Sequence, residues 1–350
     1  MPAERNLRVA VFGAGAFGRN HLRVYRELEQ SGHAINLAAV VDSDPALAQR
    51  AASEWGIPTY DSLHRFLGEV AAGRLLIDAA SVCVPTSAHY PVAAALLEAG
   101  IDLLVEKPIA ASTGEADRLI DIAQRGRRIL QVGHLERFNP AVAAVQPWLN
   151  GPMFFEAHRL SVFTPRALDV DVVLDLMIHD LDIVLKLANS RVREVRAVGL
   201  PILSKKVDIA NVRLEFDSGC VANFTASRVS TELVRKLRFF QPHQYISIDY
   251  ARKDVLIIDV APGMGATLTS ATVPDPQSHS TKPGLAFTKP DILPGEPLRL
   301  EIESFLDAVQ TRRTPKVSAQ DGRAALDVAL QINAAIAEHA TQAGLDRFQR

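Results

Sequence analysis

The sequence predicts an α/β protein: an N-terminal doubly wound parallel sheet, followed by a C-terminal α+β domain on an open, mainly antiparallel sheet. Three observations predict this. Apolar strand-like runs alternate with amphipathic helical stretches throughout residues 7–132. From residue 153 to 260 the pattern changes to long strands separated by short turns such as Asp217-Ser218-Gly219. The first strand also runs straight into Gly13-Ala14-Gly15-Ala16-Phe17-Gly18 and then a helix over residues 19–30.

That first unit carries its own chemistry. Gly13 permits a tight turn, Gly15 lets a pyrophosphate approach bare backbone, and Gly18 seats the helix on the sheet. The helix N-terminus then points its unpaired N–H groups at the phosphates. The second strand, 35–41, ends in Asp42, placed to accept hydrogen bonds from both hydroxyls of an adenosine ribose. Asp42 is followed by Ser43 and Asp44, with no Arg or Lys to receive a 2′-phosphate, so NAD is expected over NADP. The bland alternative for Asp42 is a solvated strand-end acid that caps the next helix.

The remaining elements follow in order. Helix 46–55, strand 57–60, helix 62–70, strand 76–84, helix 88–99, strand 103–105, helix 114–125 and strand 129–132 complete the alternating βα units. The expected domain division is therefore 1–133, binding the dinucleotide, and 134–350, for substrate binding and oligomerisation, with the closing helices free to pack back on the first domain and Asn139-Pro140 opening a further helix. Strands are expected at 153–162, 194–200, 209–216, 220–227, 236–241, 245–250 and 255–260, interrupted by a helix over 172–187. Residues 261–297 are rich in Pro, Gly, Ser and Thr and read as a long loop. Helices 298–310 and 319–338 close the chain, the second capped by Ser318.

Composition narrows the function. With 350 residues, 48% apolar, and a formal net charge of −2, the chain can fill two cores but presents no strong field to nucleic acid. No apolar run reaches bilayer length, and the N-terminus lacks a basic region followed by an apolar stretch, so a cytoplasmic protein without a membrane anchor is expected. Cys83 and Cys220 are too few for a disulfide framework and read as inert.

Two further segments supply candidate catalytic groups. Pro85-Thr86-Ser87-Ala88-His89 and Glu106-Lys107-Pro108 each follow a parallel strand, at the carboxyl edge where ligands of open α/β sheets collect. An ammonium at Lys107 can stabilise a developing alkoxide during hydride transfer, or else pair with a surface carboxylate. On the helix that opens the second domain, Asp171, Asp175 and His179 are spaced by four and share a face, while Val172, Leu176, Ile183 and Leu187 form an apolar stripe. His179 is a natural general base for a hydroxyl, and Asp175 can orient the substrate or the ring. A solvated polar face is the plain alternative. A metal site is disfavoured because no third or fourth ligand falls at helical spacing, so no metal is expected.

The glycine turn, Asp42, Glu106-Lys107-Pro108, Asp175-x-x-x-His179-x-x-Asp182 and Asp321-Gly-Arg-Ala-Ala-Leu together resemble the Gfo/Idh/MocA oxidoreductase family over essentially the whole chain. The resemblance implies an N-terminal Rossmann domain, a catalytic trio of Lys107, Asp175 and His179, and homodimers or homotetramers built by packing of sheet faces. It also implies cofactor contacts from Gly13, Gly15, Ala16, Phe17, Gly18, Asp42, Pro85, Thr86, His89, Glu106 and Lys107. One departure is Met177, where members often carry Gly. The stretches 132–140 and 169–180 resemble a branch that oxidises the C3 hydroxyl of UDP-N-acetylglucosamine, ahead of amino-sugar transfer for envelope glycolipid. A UDP-sugar needs cations for its diphosphate, and Arg137, Arg159 and Arg166 are candidates, with Asn139 beside them as a polar contact. Two alternatives stay open: a dehydrogenase of a free sugar or a cyclic polyol such as inositol, and a non-catalytic dinucleotide-bound sensor.

Overall fold

The structure, a computed structural model, describes residues 6–163, 170–260 and 285–345. They fall into two compact units: one comprises Met1–Phe138 with Glu296–Asp327, the other Asn139–Gly295 with Val328–Arg350.

In the first unit the chain runs β1 (Leu7–Phe12), α1 (Ala16–Gln30), β2 (Ile35–Val41), α2 (Pro45–Trp55), β3 (Thr59–Tyr60), α3 (Leu63–Ala71), β4 (Ala79–Val82), α4 (Thr86–Glu98), β5 (Asp102–Glu106), α5 (Thr113–Gly126) and β6 (Leu130–Gly133). Sheet order is β3-β2-β1-β4-β5-β6, and every pairing is parallel. The order reverses between β1 and β4, which places a crevice at the carboxyl ends of those strands. β1 is buried on both faces, as an interior parallel strand must be, which is why it reads as an apolar run without alternation.

The first unit does not end where the sequence division placed it. Its contiguous part extends to Phe138, and α8 (Pro297–Thr311) also belongs to it. The reason is packing: Leu298, Ile302, Phe305, Leu306 and Val309 of α8 share one core with Leu22, Tyr25 and Leu28 of α1 and with Val9 and Val11 of β1. The next helix, α9 (Ala319–Gln342), opens with a reciprocal cap. The Asp321 amide donates to Ser318 Oγ at 3.1 Å, and the Ser318 amide donates to Asp321 Oδ2 at 2.9 Å.

The second unit holds α6 (Pro140–Val145), β7 (Phe154–Val162), α7 (Ile178–Ala188), β8 (Val192–Leu200), β9 (Ile209–Phe216), β10 (Val221–Ser230), β11 (Val234–Gln241), β12 (Gln244–Asp249), β13 (Asp254–Val260) and β14 (Leu285–Thr288). Its eight-stranded sheet has the order β14-β13-β12-β11-β7-β10-β9-β8; only the central β7–β10 pair is parallel. Period-two alternation buries Ala210, Val212, Leu214 and Phe216 of β9 on one face, while Asn211 and Arg213 point the other way. That second face also carries Phe154, Phe240 and Tyr245, with neighbouring ring centroids 5.6 and 5.2 Å apart. Part of the expected loop 261–297 is β14, which pairs with β13; residues 261–284 lie outside the described residues.

The expected single helix over 172–187 is a π turn, Val173–Met177, leading into α7. Asp171 caps this turn, accepting from the amides of Val173 and Leu174 at 2.9 and 3.0 Å and from Asn333 Nδ2 at 3.0 Å. Met177 is fully packed at its end. The start of the turn is further held by the β8–β9 hairpin, through Val172 N–H to the Val207 carbonyl at 2.9 Å.

That hairpin depends on Asp208, whose side chain is inaccessible to solvent. It accepts the amides of Ile202, Leu203 and Ser204 at 2.7, 2.6 and 2.8 Å and the Ser204 hydroxyl at 2.7 Å. Burial pushes its acidity towards the neutral form, but these hydrogen bonds outweigh it and hold the carboxyl below its ordinary value. A depressed carboxyl contributes stability above its unfolded-state value that is lost as pH falls through the folded one. Asp208→Ala should therefore cost about 3 kcal/mol in chemical unfolding at neutral pH. The melting temperature of the variant should fall less than that of the wild type below the ordinary carboxylate range.

Candidate active site

The glycine turn shows why each glycine is required. Gly13 has φ +92°, and a methyl group there would lie 2.6 Å from the Cys83 carbonyl oxygen. A methyl at Gly18 would overlap the Gly13 carbonyl, while one at Gly15 would meet nothing within 4 Å. The turn is therefore packed tight on the protein side and bare at Gly15. Gly15 also precedes α1 without any side-chain cap, and no acid occupies the first turn, so the leading N–H groups are left for an anion.

Asp42 ends β2 as expected and is tied to that turn. Its Oδ2 accepts the Ala14 amide at 2.6 Å and its Oδ1 accepts the Asp44 amide at 2.8 Å. Each carboxylate oxygen keeps further lone pairs for ribose hydroxyls. Helix capping at α2 falls to Asp44, which accepts from Ala46 at 2.8 Å. Phe17 stays exposed, its ring 5.4 Å from that of His21. Pro85 precedes α4, a second helix start with no side-chain cap, and Thr86 begins it. These residues fit a dinucleotide.

Of the residues expected beside the cofactor, His89 is buried and Glu106 half-buried. His89 lies with Nε2 2.9 Å from the Val84 carbonyl and Nδ1 2.7 Å from the Pro108 carbonyl. Burial pushes its imidazole below the ordinary value, although both carbonyl contacts act to raise it. The Glu106 carboxylate faces His21 at 3.1 Å, and a methyl at Gly133 would lie 2.6 Å from its Oε1. Lys107 is half-buried at the carboxyl end of β5 and joined to Pro108 by a cis peptide.

In the second unit, Asp175 lies within the π turn and His179 one residue into α7, both half-buried. The strand beneath anchors this segment. Arg159 on β7 grips Asp180 with Nε–Oδ2 2.7 Å and Nη2–Oδ1 2.9 Å, its guanidinium lying 5.3 Å from the centre of the Tyr250 ring. Asp180 directly follows His179, so this pair fixes where α7 starts on the sheet.

Two of the three cations foreseen for a diphosphate have carboxylate partners within the fold. Arg159 is engaged by Asp180, and Arg137 is buried 3.5 Å from Asp321. Asn139 is buried, capping α6 through the Ala141 amide at 3.1 Å and donating to the Tyr250 carbonyl at 3.1 Å. Arg166 lies outside the described residues. Reading the sequence missed the buried polar row of Tyr25, Ser81 and His21 beneath the glycine turn. The available signal was a histidine three residues after Gly18 on an apolar helix face, since a buried imidazole needs partners. Among the described residues, no three His, Cys, Asp or Glu side chains gather to hold a metal, and no helix is long and apolar enough to cross a membrane.

A doubly wound sheet with this turn, strand-end acid and bare helix start defines an NAD-binding oxidoreductase. Residues 7–134 match the profile described as an oxidoreductase family with an NAD-binding Rossmann fold, and 143–240 match the GFO/IDH/MocA C-terminal domain. The chain belongs to the Gfo/Idh/MocA oxidoreductase family. It is 36% identical to a UDP-N-acetylglucosamine 3-dehydrogenase of Acidithiobacillus ferrooxidans, over 95% of this chain and 97% of that protein. A solved structure of that enzyme covers 95% of this chain and 98% of its own, with TM-score 0.81 and 33% identity. A scyllo-inositol 2-dehydrogenase (NAD(+)) of Bacillus subtilis is 26% identical over 93% of each chain.

Asp42→Ala should weaken NAD binding by about 2 kcal/mol, roughly 30-fold in Kd, and narrow the preference over NADP. Calorimetric titration with each dinucleotide checks both.

Proposed function

We propose that this enzyme oxidises the C3 hydroxyl of UDP-N-acetylglucosamine to the 3-keto sugar nucleotide, with NAD as acceptor. The observation that carries the reading is whole-length similarity to an enzyme of that name, in a chain whose sequence carries Lys107, Asp175 and His179. Bound NAD supplies the hydride acceptor. His179 takes the hydroxyl proton, Lys107 stabilises the oxyanion that develops at O3, and Asp175 orients the imidazole or the sugar. The C3–H bonding pair leaves as hydride and the O–H proton passes to His179, so ketone, reduced cofactor and imidazolium balance. The keto group then suits an aminotransferase that would make a 3-amino sugar for an envelope glycolipid. Assembly into a homodimer or homotetramer would use the sheet face that carries Phe154, Phe240 and Tyr245.

Similarity to inositol dehydrogenases over most of the chain favours one second reading, oxidation of a cyclic polyol. Purified protein given NAD and UDP-N-acetylglucosamine, with a ketone trap, should form reduced nicotinamide, while N-acetylglucosamine and myo-inositol should not. Turnover of inositol alone would replace the first reading with the second. His179→Ala should lower turnover by roughly 10²–10⁴-fold while NAD still binds; a variant with wild-type turnover would remove His179 as base.

A further inference from the structure

Two buried imidazoles outside the catalytic trio converge on the residues either side of Lys107. His21, on α1, lies with Nδ1 3.1 Å from Ser81 Oγ and Nε2 3.1 Å from Glu106 Oε1. His89, on α4, lies between the carbonyls of Val84 and Pro108 at 2.9 and 2.7 Å. His21 thus joins the end of β4 to the segment at the end of β5 by two hydrogen bonds, and His89 lies wedged between the same two segments, donating to one of them. Glu106 precedes Lys107 in the chain and Pro108 follows it.

The protons in the first contact can be assigned. A carboxylate only accepts, so Nε2 of His21 carries the hydrogen and donates to Glu106. With a single proton, on Nε2, the ring accepts at Nδ1 from the Ser81 hydroxyl. That leaves the Ser81 oxygen to accept from Tyr25 Oη, 2.8 Å away, and burial pushes the Tyr25 phenol up so that it keeps its proton. Tyr25, Ser81, His21 and Glu106 form one directed row in which every donor meets an acceptor. The carboxylate fills the space that a side chain at position 133 would need, which is glycine here. On the far side of Lys107, a carbonyl also only accepts, so the His89 N–H donates to one of its two carbonyls.

We propose that His21 and His89 are positioning residues that clamp the chain on both sides of Lys107 and so fix where its ammonium is presented at the carboxyl edge of the parallel sheet. Neither touches substrate, and the inference rests on the reading that Lys107 acts in the oxidation. The clamp explains why two histidines are buried at real cost in desolvation beside a short half-buried segment.

Two measurements test it. The first needs no substrate: nitrogen-15 NMR of histidine-labelled wild-type protein at about pH 8, with the His21 signal assigned by its loss in His21→Gln. A His21 ring protonated at Nε2 and accepting at Nδ1 is expected; a proton on Nδ1 overturns the row. The second is a mutant cycle, measured with whichever of UDP-N-acetylglucosamine or myo-inositol the wild type oxidises, so a wrong substrate reading shows in the wild type alone. His21→Leu and His89→Leu should lower kcat by ~10- to 100-fold with KM for NAD changed less than about threefold. His21→Gln, whose amide can donate and accept along the same line, should recover most of the loss. In a Lys107→Met background, adding either Leu substitution should change kcat by less than about threefold, because the clamp has nothing left to position. Losses that multiply fully in that background, or a Gln variant as poor as the Leu variant, would refute the clamp.

Discussion

The first unit depends on two missing side chains. The Gly13 carbonyl occupies the space a methyl at Gly18 would need, and Gly13 itself lies against the Cys83 carbonyl. This contact sets both the depth and the rotation of α1 on the sheet. His21 and Tyr25 follow Gly18 by three and seven residues, so they share its face and come down on Ser81 together. The turn that admits a pyrophosphate and the polar row that reaches Glu106 are therefore consequences of one close backbone approach. A bulkier residue at either glycine would shift both.

In the second unit the corresponding role falls to charge. Arg159 and Asp180 form a bidentate pair buried on both sides, and such pairs add little net stability because desolvation offsets the attraction. Their geometry, however, admits only one placement of α7 on β7. The π turn before it is held at its start by Asp171 and by the hairpin that Asp208 organises. Asp175 sits in the widened turn and His179 just past it, in a segment fixed at both ends. A π turn interrupting a helix is a frequent mark of a functional segment.

The elements that a sequence displays through period and punctuation were legible: the parallel βα units, the alternating strands of the second sheet, the Ser318 cap and the glycine turn. What escaped reading depends on partners distant in the chain. Arg137 and Arg159 look alike as isolated arginines, and only folding reveals that Asp321 and Asp180 meet them. Asp171 shares the spacing of Asp175 and His179, yet it serves as a cap, because the π turn begins immediately after it. β14 was hidden in a stretch whose composition is that of a loop; its four residues form a strand only by adding to the edge of β13. The return of a closing helix to the first unit was open in the sequence, but an amphipathic helix does not say which core it will join, and packing of Phe305 and Ile302 of α8 decides it.

That return has a consequence for how the protein is made. The first unit is encoded in two pieces separated by more than 150 residues, the second of which begins at Glu296. While a ribosome is still translating the intervening stretch, the surface of α1 that later meets Phe305 and Ile302 has no cover. A nascent parallel sheet keeps that apolar face uncovered until residues 297–311 have emerged, so the last step of its folding waits on a segment made long after its strands.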